Sequence, residues 1–263
     1  MSETTSSAKK LPFHLVLLLA ICVTYFSVWL HEAGHWAVLE ALQCRPTMGF
    51  AGIIQQWDTP PSSPHHWQRI SYPNLGTAWL RLERLPQTPQ QWTWMLLAGQ
   101  MVAVLLLVVG ILLYKTSSSH TLKAAGLMLA FVNGAMALPK IVSWIMGGIG
   151  DLYFVGFYSG INPAWVKGAF IVVLGSGLVW SLRQFPCPIR RRWMQALVLA
   201  YIIVVIPLQK ANAVIRSAVE QELPWATPLA GWSKPVWWVT AGFLLLLVGW
   251  YLLAENHFRN GRE

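Results

Sequence analysis

Apolar residues fall along the chain into six long blocks separated by shorter polar stretches. Each block approaches the ~20 residues that a helix rising ~1.5 Å per residue needs to cross ~30 Å of hydrocarbon. The first runs from Leu11 to Leu30, with helix-compatible residues continuing to Ala41 before Cys44-Arg45-Pro46 supplies a stop. The others run from Trp92 to Tyr114, Ala124 to Ile149, Gly168 to Leu182, Trp193 to Leu208 and Pro235 to Ala254. Pro139-Lys140 interrupts the third block, which ends in Gly147-Gly148-Ile149-Gly150. A kinked or broken helix is expected there, facing protein or water, because lipid cannot satisfy freed backbone groups. The pattern predicts an all-α polytopic membrane protein of about six transmembrane helices, with residues 1–263 forming one membrane-embedded domain.

The longest polar stretch, Arg45 to Gln91, holds seven prolines and two strand-like patches, Met48 to Ile54 and Thr77 to Leu85. In the second, Leu80 and Leu82 alternate with Arg81 and Glu83, the two-residue period of a half-buried strand. The stretch reads either as a loop lying on the lipid headgroups or as a small β element. At the start of the chain Lys9 and Lys10 precede the first apolar block as in a signal peptide, but the block runs on into a charged motif without a small-residue cleavage site. It is expected to remain as a helix.

Composition sharpens this picture. Hydrophobic residues make up 55% of the chain and charged ones 11%, against roughly a quarter charged in a soluble domain. A soluble enzyme is therefore excluded. The net charge of +9 sits at the ends of apolar blocks rather than on one polar face, which argues for membrane topology and against nucleic-acid binding. With six spans and a cytoplasmic N-terminus, ten basic residues including Arg190-Arg191-Arg192 lie inside and eight outside. Both termini are thus expected in the cytoplasm, in a cell membrane of bacterial type. Three scattered cysteines, Cys22, Cys44 and Cys187, offer neither a metal knuckle nor a disulfide framework.

One motif carries a mechanism. His31-Glu32-Ala33-Gly34-His35 places two imidazoles four residues apart, on one helical face, where both can ligate one zinc ion. Glu32, about 100° around the helix, can reach a water at that metal and act as general base. The competing reading is a group of polar residues capping a helix at the headgroups. Ionisable side chains on an apolar helix cost a few kcal/mol each near the bilayer centre, so they are rare there and usually functional. A hydrolytic zinc takes a third protein ligand. Asp151, the one carboxylate between Glu83 and Glu220, follows the glycine run that would let the chain approach the first helix. Its alternative reading is a helix-capping or loop aspartate. Asp58, His65, His66, Glu220, Glu222 and His257 lie in polar loops or the tail, and Glu40 falls on the far side of its helix from His31.

On these residues the chain resembles the site-2 protease family of intramembrane zinc metalloproteases, over roughly its first 155 residues. HEAGH in the first apolar helix is the specific element. Leu97-Ala98-Gly99-Gln100 is similar to that family's Ala-Gly-Pro element, with Gln100 in place of the proline. Asn133, Pro139 and Asp151 resemble its Asn-Pro-Asp-Gly region, with Asn133 and Asp151 more widely spaced and Leu152 in place of the glycine. The resemblance implies a catalytic core over 1–155, including the 45–91 loop, and additional helices over 156–263. It implies His31, His35 and Asp151 as zinc ligands, Glu32 as the base, and Asn133 and Gln100 as substrate-positioning residues. It also implies that the 45–91 segment is a membrane-associated β element pairing with an unwound substrate strand. The function expected is hydrolysis of peptide bonds in or near transmembrane segments of membrane-protein substrates within the lipid bilayer. The alternative is a zinc-binding membrane protein without proteolysis, a transporter or an inactive chaperone-like relative. A transporter is expected to carry acidic or histidine residues on several spans, and the later spans here have almost none.

Overall fold

The computed structural model describes residues 11–185 and 187–260. Lys9, Lys10 and Arg262, counted above for topology, lie outside them. Eight helices occupy most of the described chain: α1 Phe13–Ala41, α2 Pro89–Thr116, α3 His120–Ala135, α4 Ala137–Ile145, α5 Asp151–Ser159, α6 Pro163–Gln184, α7 Cys187–Glu220 and α8 Lys234–Asn260. Taking α3 and α4 together, six helical segments are long and apolar enough to cross a membrane. The expected all-α polytopic architecture is what forms. Large apolar side chains stand exposed along these helices, among them Leu105, Val172, Val198, Leu245 and Leu252. Such surface suits a hydrocarbon solvent and not water.

Two expected boundaries change. The third span breaks at Met136, between α3 and α4, three residues ahead of Pro139. A proline has no N–H to give the carbonyl four residues earlier and its ring crowds that carbonyl, so the disruption falls upstream of it, at Ala135. The fifth span does not stop near Leu208, because α7 continues through Pro207 to Glu220. There the loss is one helical bond to Ile203, and 13 further residues propagate the helix beyond it.

Hydrogen bonds bind one end of the bundle. Trp250 Nε1 donates to the Leu15 carbonyl at 2.9 Å, and Thr121 Oγ1 donates to Glu255 at 2.8 Å. Leu19, Leu127, Phe131, Trp193 and Trp250 fill the core between them. At the other end the polar stretch folds as β structure. Strands β1 Met48–Gly49, β2 Gly52–Ile53, β6 Pro228–Leu229 and β7 Trp232–Ser233 form a sheet ordered β2-β1-β7-β6; β3 Gln55–Trp57, β4 Trp67–Tyr72 and β5 Gly76–Arg81 form one ordered β3-β5-β4. Met48 to Ile54, read as one strand, is instead a hairpin turning at Phe50-Ala51, which Gly52 permits with φ +93°. The second patch is β5, and Leu80 and Leu82 are buried as their alternation predicts.

The two sheets are joined through Thr47, Ile54 and Arg81. Ile54 N–H donates to Thr47 O and Arg81 N–H donates to Ile54 O, both at 2.8 Å. Asp58 N–H likewise bonds Thr77 O at 2.8 Å. Even-numbered residues of the 52–58 segment therefore turn their backbone groups into the sheet. By the period of two, Ile53 and Gln55 point theirs outward. Ile53 and Gln55 border the same cavity as Glu32 and His35 of the polar motif.

Candidate metal centre

His31 and His35 lie on α1, about 27 Å and about 33 Å of helical rise beyond Phe13. Asp151 is the first residue of α5, which, like α1, packs against α2. The three side chains converge: His31 Nε2 and His35 Nε2 are 3.2 Å apart, and each lies 3.5 Å from Asp151 Oδ2. Among the described residues these three form the group able to hold a metal ion.

The surroundings fix the ring orientation. His35 Nδ1 lies 2.7 Å from the backbone carbonyl of Met95. A carbonyl only accepts, so the Nδ1 position carries the proton and the Nε2 lone pair is free to face His31 and Asp151. Gln100 Nε2 donates to Asp151 Oδ2 at 2.9 Å, holding the carboxylate toward the histidines. With the proton of His31 also on Nδ1, three acceptor atoms face one another, and a cation between them removes their repulsion. Tetrahedral coordination with bonds of ~2.0–2.1 Å gives ligand–ligand edges of about 3.3–3.4 Å, close to the three distances found. The donor set and its spacing therefore fit a metal of zinc's size.

Two glycines permit this convergence, and they are not the ones expected. A Cβ on Gly34 would stand 2.9 Å from the Ala98 backbone, and one on Gly99 would stand 2.4 Å from His35 Nε2. Helices α1 and α2 thus meet backbone to backbone beneath the histidines. Gly147 and Gly150 have nothing within 4 Å of an added Cβ. The run before Asp151 turns the chain, with Gly147 at φ +66°, rather than bringing it close to α1. The Ala-Gly-Gln segment thus carries a steric requirement at Gly99. Gly99→Ala is expected to displace the His35 ring and reduce bound metal well below one equivalent while the helices still insert. Elemental analysis beside circular dichroism checks this, and a full metal complement in the variant would contradict it.

Glu32 opens into a cavity of about 200 Å³ bordered by His35, Asp151, Tyr72, Ile53 and Gln55. A Cβ on Gly52 would lie 3.5 Å from Glu32 Oε2, so the hairpin turn sits directly over the carboxylate. Tyr72, on β4, was not marked by any sequence motif. Burial, with Tyr158 and Asp151 adding to it, pushes its phenol above the ordinary tyrosine range, so it stays a hydrogen-bond donor at neutral pH.

Asn133 and Gln100 do not border this cavity. Asn133 is buried between helices, its Nδ2 donating to Ser27 Oγ at 3.0 Å, one turn before His31. Gln100 stands behind Asp151. The rival ligands His65 and His66 stay apart from the centre: their rings touch at a tilt of 52° beside Glu83, and His66 borders a separate cleft with Glu40.

A second residue without a sequence signal is Asn212 on α7. Its Oδ1 accepts the backbone N–H of Phe50 at 2.8 Å and that of Ala51 at 3.4 Å, and it leaves no room for a side chain on Gly49. Asn212 thereby holds the hairpin turn above Glu32. Asn212→Leu is expected to keep metal but loosen the hairpin turn. Faster labelling of a cysteine introduced at Phe50, which is buried in the turn, is the readout, and unchanged labelling would count against the tether. No known protein family, characterised protein or solved structure matches the chain.

Proposed function

We propose that this chain is an intramembrane zinc metalloprotease, cleaving peptide bonds in or near transmembrane segments of other membrane proteins. The observation that carries the reading is the triangle of His31, His35 and Asp151 ligand atoms, 3.2–3.5 Å on a side, with the Glu32 carboxylate beside it in one cavity. A bound Zn²⁺ supplies a Lewis acid that polarises a carbonyl and acidifies water.

The chain's own residues supply the rest. Glu32 accepts a proton from the attacking water and returns it to the departing amine. Tyr72, protonated and facing the cavity, offers a donor to negative charge developing on the substrate. The outward N–H and C=O groups of Ile53 and Gln55 give an extended segment a strand to pair with, which requires a substrate helix to unwind first. Peptide bonds inside a helix have their backbone groups occupied, so unwinding exposes the carbonyl to be attacked.

The test is purification of the full chain in mild detergent, with zinc measured and a reporter carrying one transmembrane segment offered as substrate. About one zinc per chain is expected, with hydrolysis that a chelator stops and added zinc restores. His35→Ala should lose both metal and hydrolysis. Zinc retained without hydrolysis of any transmembrane reporter would favour the non-proteolytic metal-binding alternative, and no zinc at all would remove the reading.

A further inference from the structure

At the end of the bundle away from the metal centre, a groove of about 830 Å³ runs between the start of α1 and the start of α7. Phe13 forms one wall; Arg190, Arg191, Met194, Val198 and Leu199 line the other. The spacing along α7 is informative. Positions 190/191, 194/195 and 198/199 recur every four residues and so lie on one helical face. The same stripe continues through Ile202, Ile203 and Ile206, all exposed. The surface is therefore basic at the helix end and, apart from Gln195, apolar for the four turns below.

The arginines at the rim lack acidic partners. Arg190, Arg191 and Arg192 enter none of the ion pairs among the described residues, and no carboxylate lines the groove. Arg190 donates through Nη2 to the Phe185 carbonyl at 3.2 Å, while its Nε is shielded from solvent and has no hydrogen-bond partner. A phosphate oxygen in the groove would take charge-assisted bonds from the outer N–H groups of these guanidiniums, which have no carboxylate beside them among the described residues. From Arg191 to Ile202 the helix rises about 16 Å, close to the ~15 Å depth of one leaflet's hydrocarbon.

We propose that this groove binds an anionic phospholipid, its phosphate at Arg190 and Arg191 and an acyl chain along Met194, Val198 and Ile202. Charge complementarity selects the headgroup, and the apolar stripe selects a lipid over a free phosphate. The site lies on the first turns of α7, the helix whose far end holds the hairpin through Asn212, but it does not depend on the protein being a protease.

The test is delipidation of the full chain in detergent, followed by titration with phosphatidylglycerol or phosphatidylcholine and native mass spectrometry of the bound lipid. Each basic residue near a phosphate contributes about fivefold to affinity. Arg190→Gln/Arg191→Gln is therefore expected to weaken phosphatidylglycerol binding by roughly 25-fold, toward the level of phosphatidylcholine. Lys123→Gln/Arg259→Gln removes equal charge outside the groove and should leave the affinity near wild type. Met194→Trp keeps both arginines but fills the groove, and should weaken lipid binding even if the arginine variant folds poorly. Equal affinity for the two lipids, binding of inorganic phosphate alone with the same strength, equal loss in both charge variants, or a second copy of the chain covering the groove would overturn the proposal.

Discussion

Glu32→Gln is expected to retain the wild-type metal content and lose hydrolysis by about 10²–10⁴-fold, the usual contribution of a positioned general base. The residue follows His31 on α1, but its carboxylate is not one of the three converging ligand atoms, so its charge is not needed to hold the cation. Glutamine has the same length and fits the same space beneath Gly52. What it lacks is an oxygen able to take a proton. The expected pattern is therefore a fall in kcat with zinc stoichiometry and substrate affinity preserved. Zinc analysis and reporter cleavage measured on one preparation separate these quantities. Turnover within a few-fold of wild type would exclude Glu32 as the base, whereas loss of zinc would show it to be a ligand instead.

How much of this was legible before the structure follows from the range over which each signal acts. The helical spans could be read because lipid imposes length and apolarity on every residue of a span. His31, Glu32 and His35 could be read because their relation is local, set by the helical period. Asp151 was reachable as a scarce carboxylate, but the reason it arrives at the histidines was misplaced. The glycines next to it in sequence serve a turn, and the close contact is made by Gly34 and Gly99 on two other helices. Nothing in a single sequence says which glycine of one helix meets which backbone of another. The β structure shows the same limit. Leu80 and Leu82 announce themselves by alternation, whereas Trp67–Tyr72 becomes a strand through its pairing with β5, and Tyr72 reaches the cavity only through that pairing. The parallel pairing of Met48 with Trp232 joins segments 184 residues apart. The Asn212 tether to the hairpin spans a similar distance, its partners lying 162 positions apart.

Asp151→Asn is expected to produce the largest loss of metal affinity of any single change outside the HEAGH motif. Its Oδ2 is 3.5 Å from both histidine nitrogens, so it would supply one corner of a coordination triangle and the one negative charge among the three candidate ligands. Asparagine preserves size and the helix start but offers a neutral oxygen, leaving a divalent cation without the one charge that compensates it. Gln100 provides the calibration. It touches the same Oδ2 at 2.9 Å as an orienting donor, and removing an outer partner of that kind costs about 10–100-fold in metal affinity. Gln100→Leu should fall in that range, and Asp151→Asn beyond it, with hydrolysis lost in proportion. Asp58→Asn and Glu220→Gln, whose carboxylates lie outside the converging group, should bind zinc as the unaltered chain does. Competition with a chelator of known affinity ranks all four. If Asp151→Asn bound zinc as tightly as Gln100→Leu, the carboxylate would be an orienting neighbour and not a ligand, and the third position would have to be filled by a group from outside the triangle.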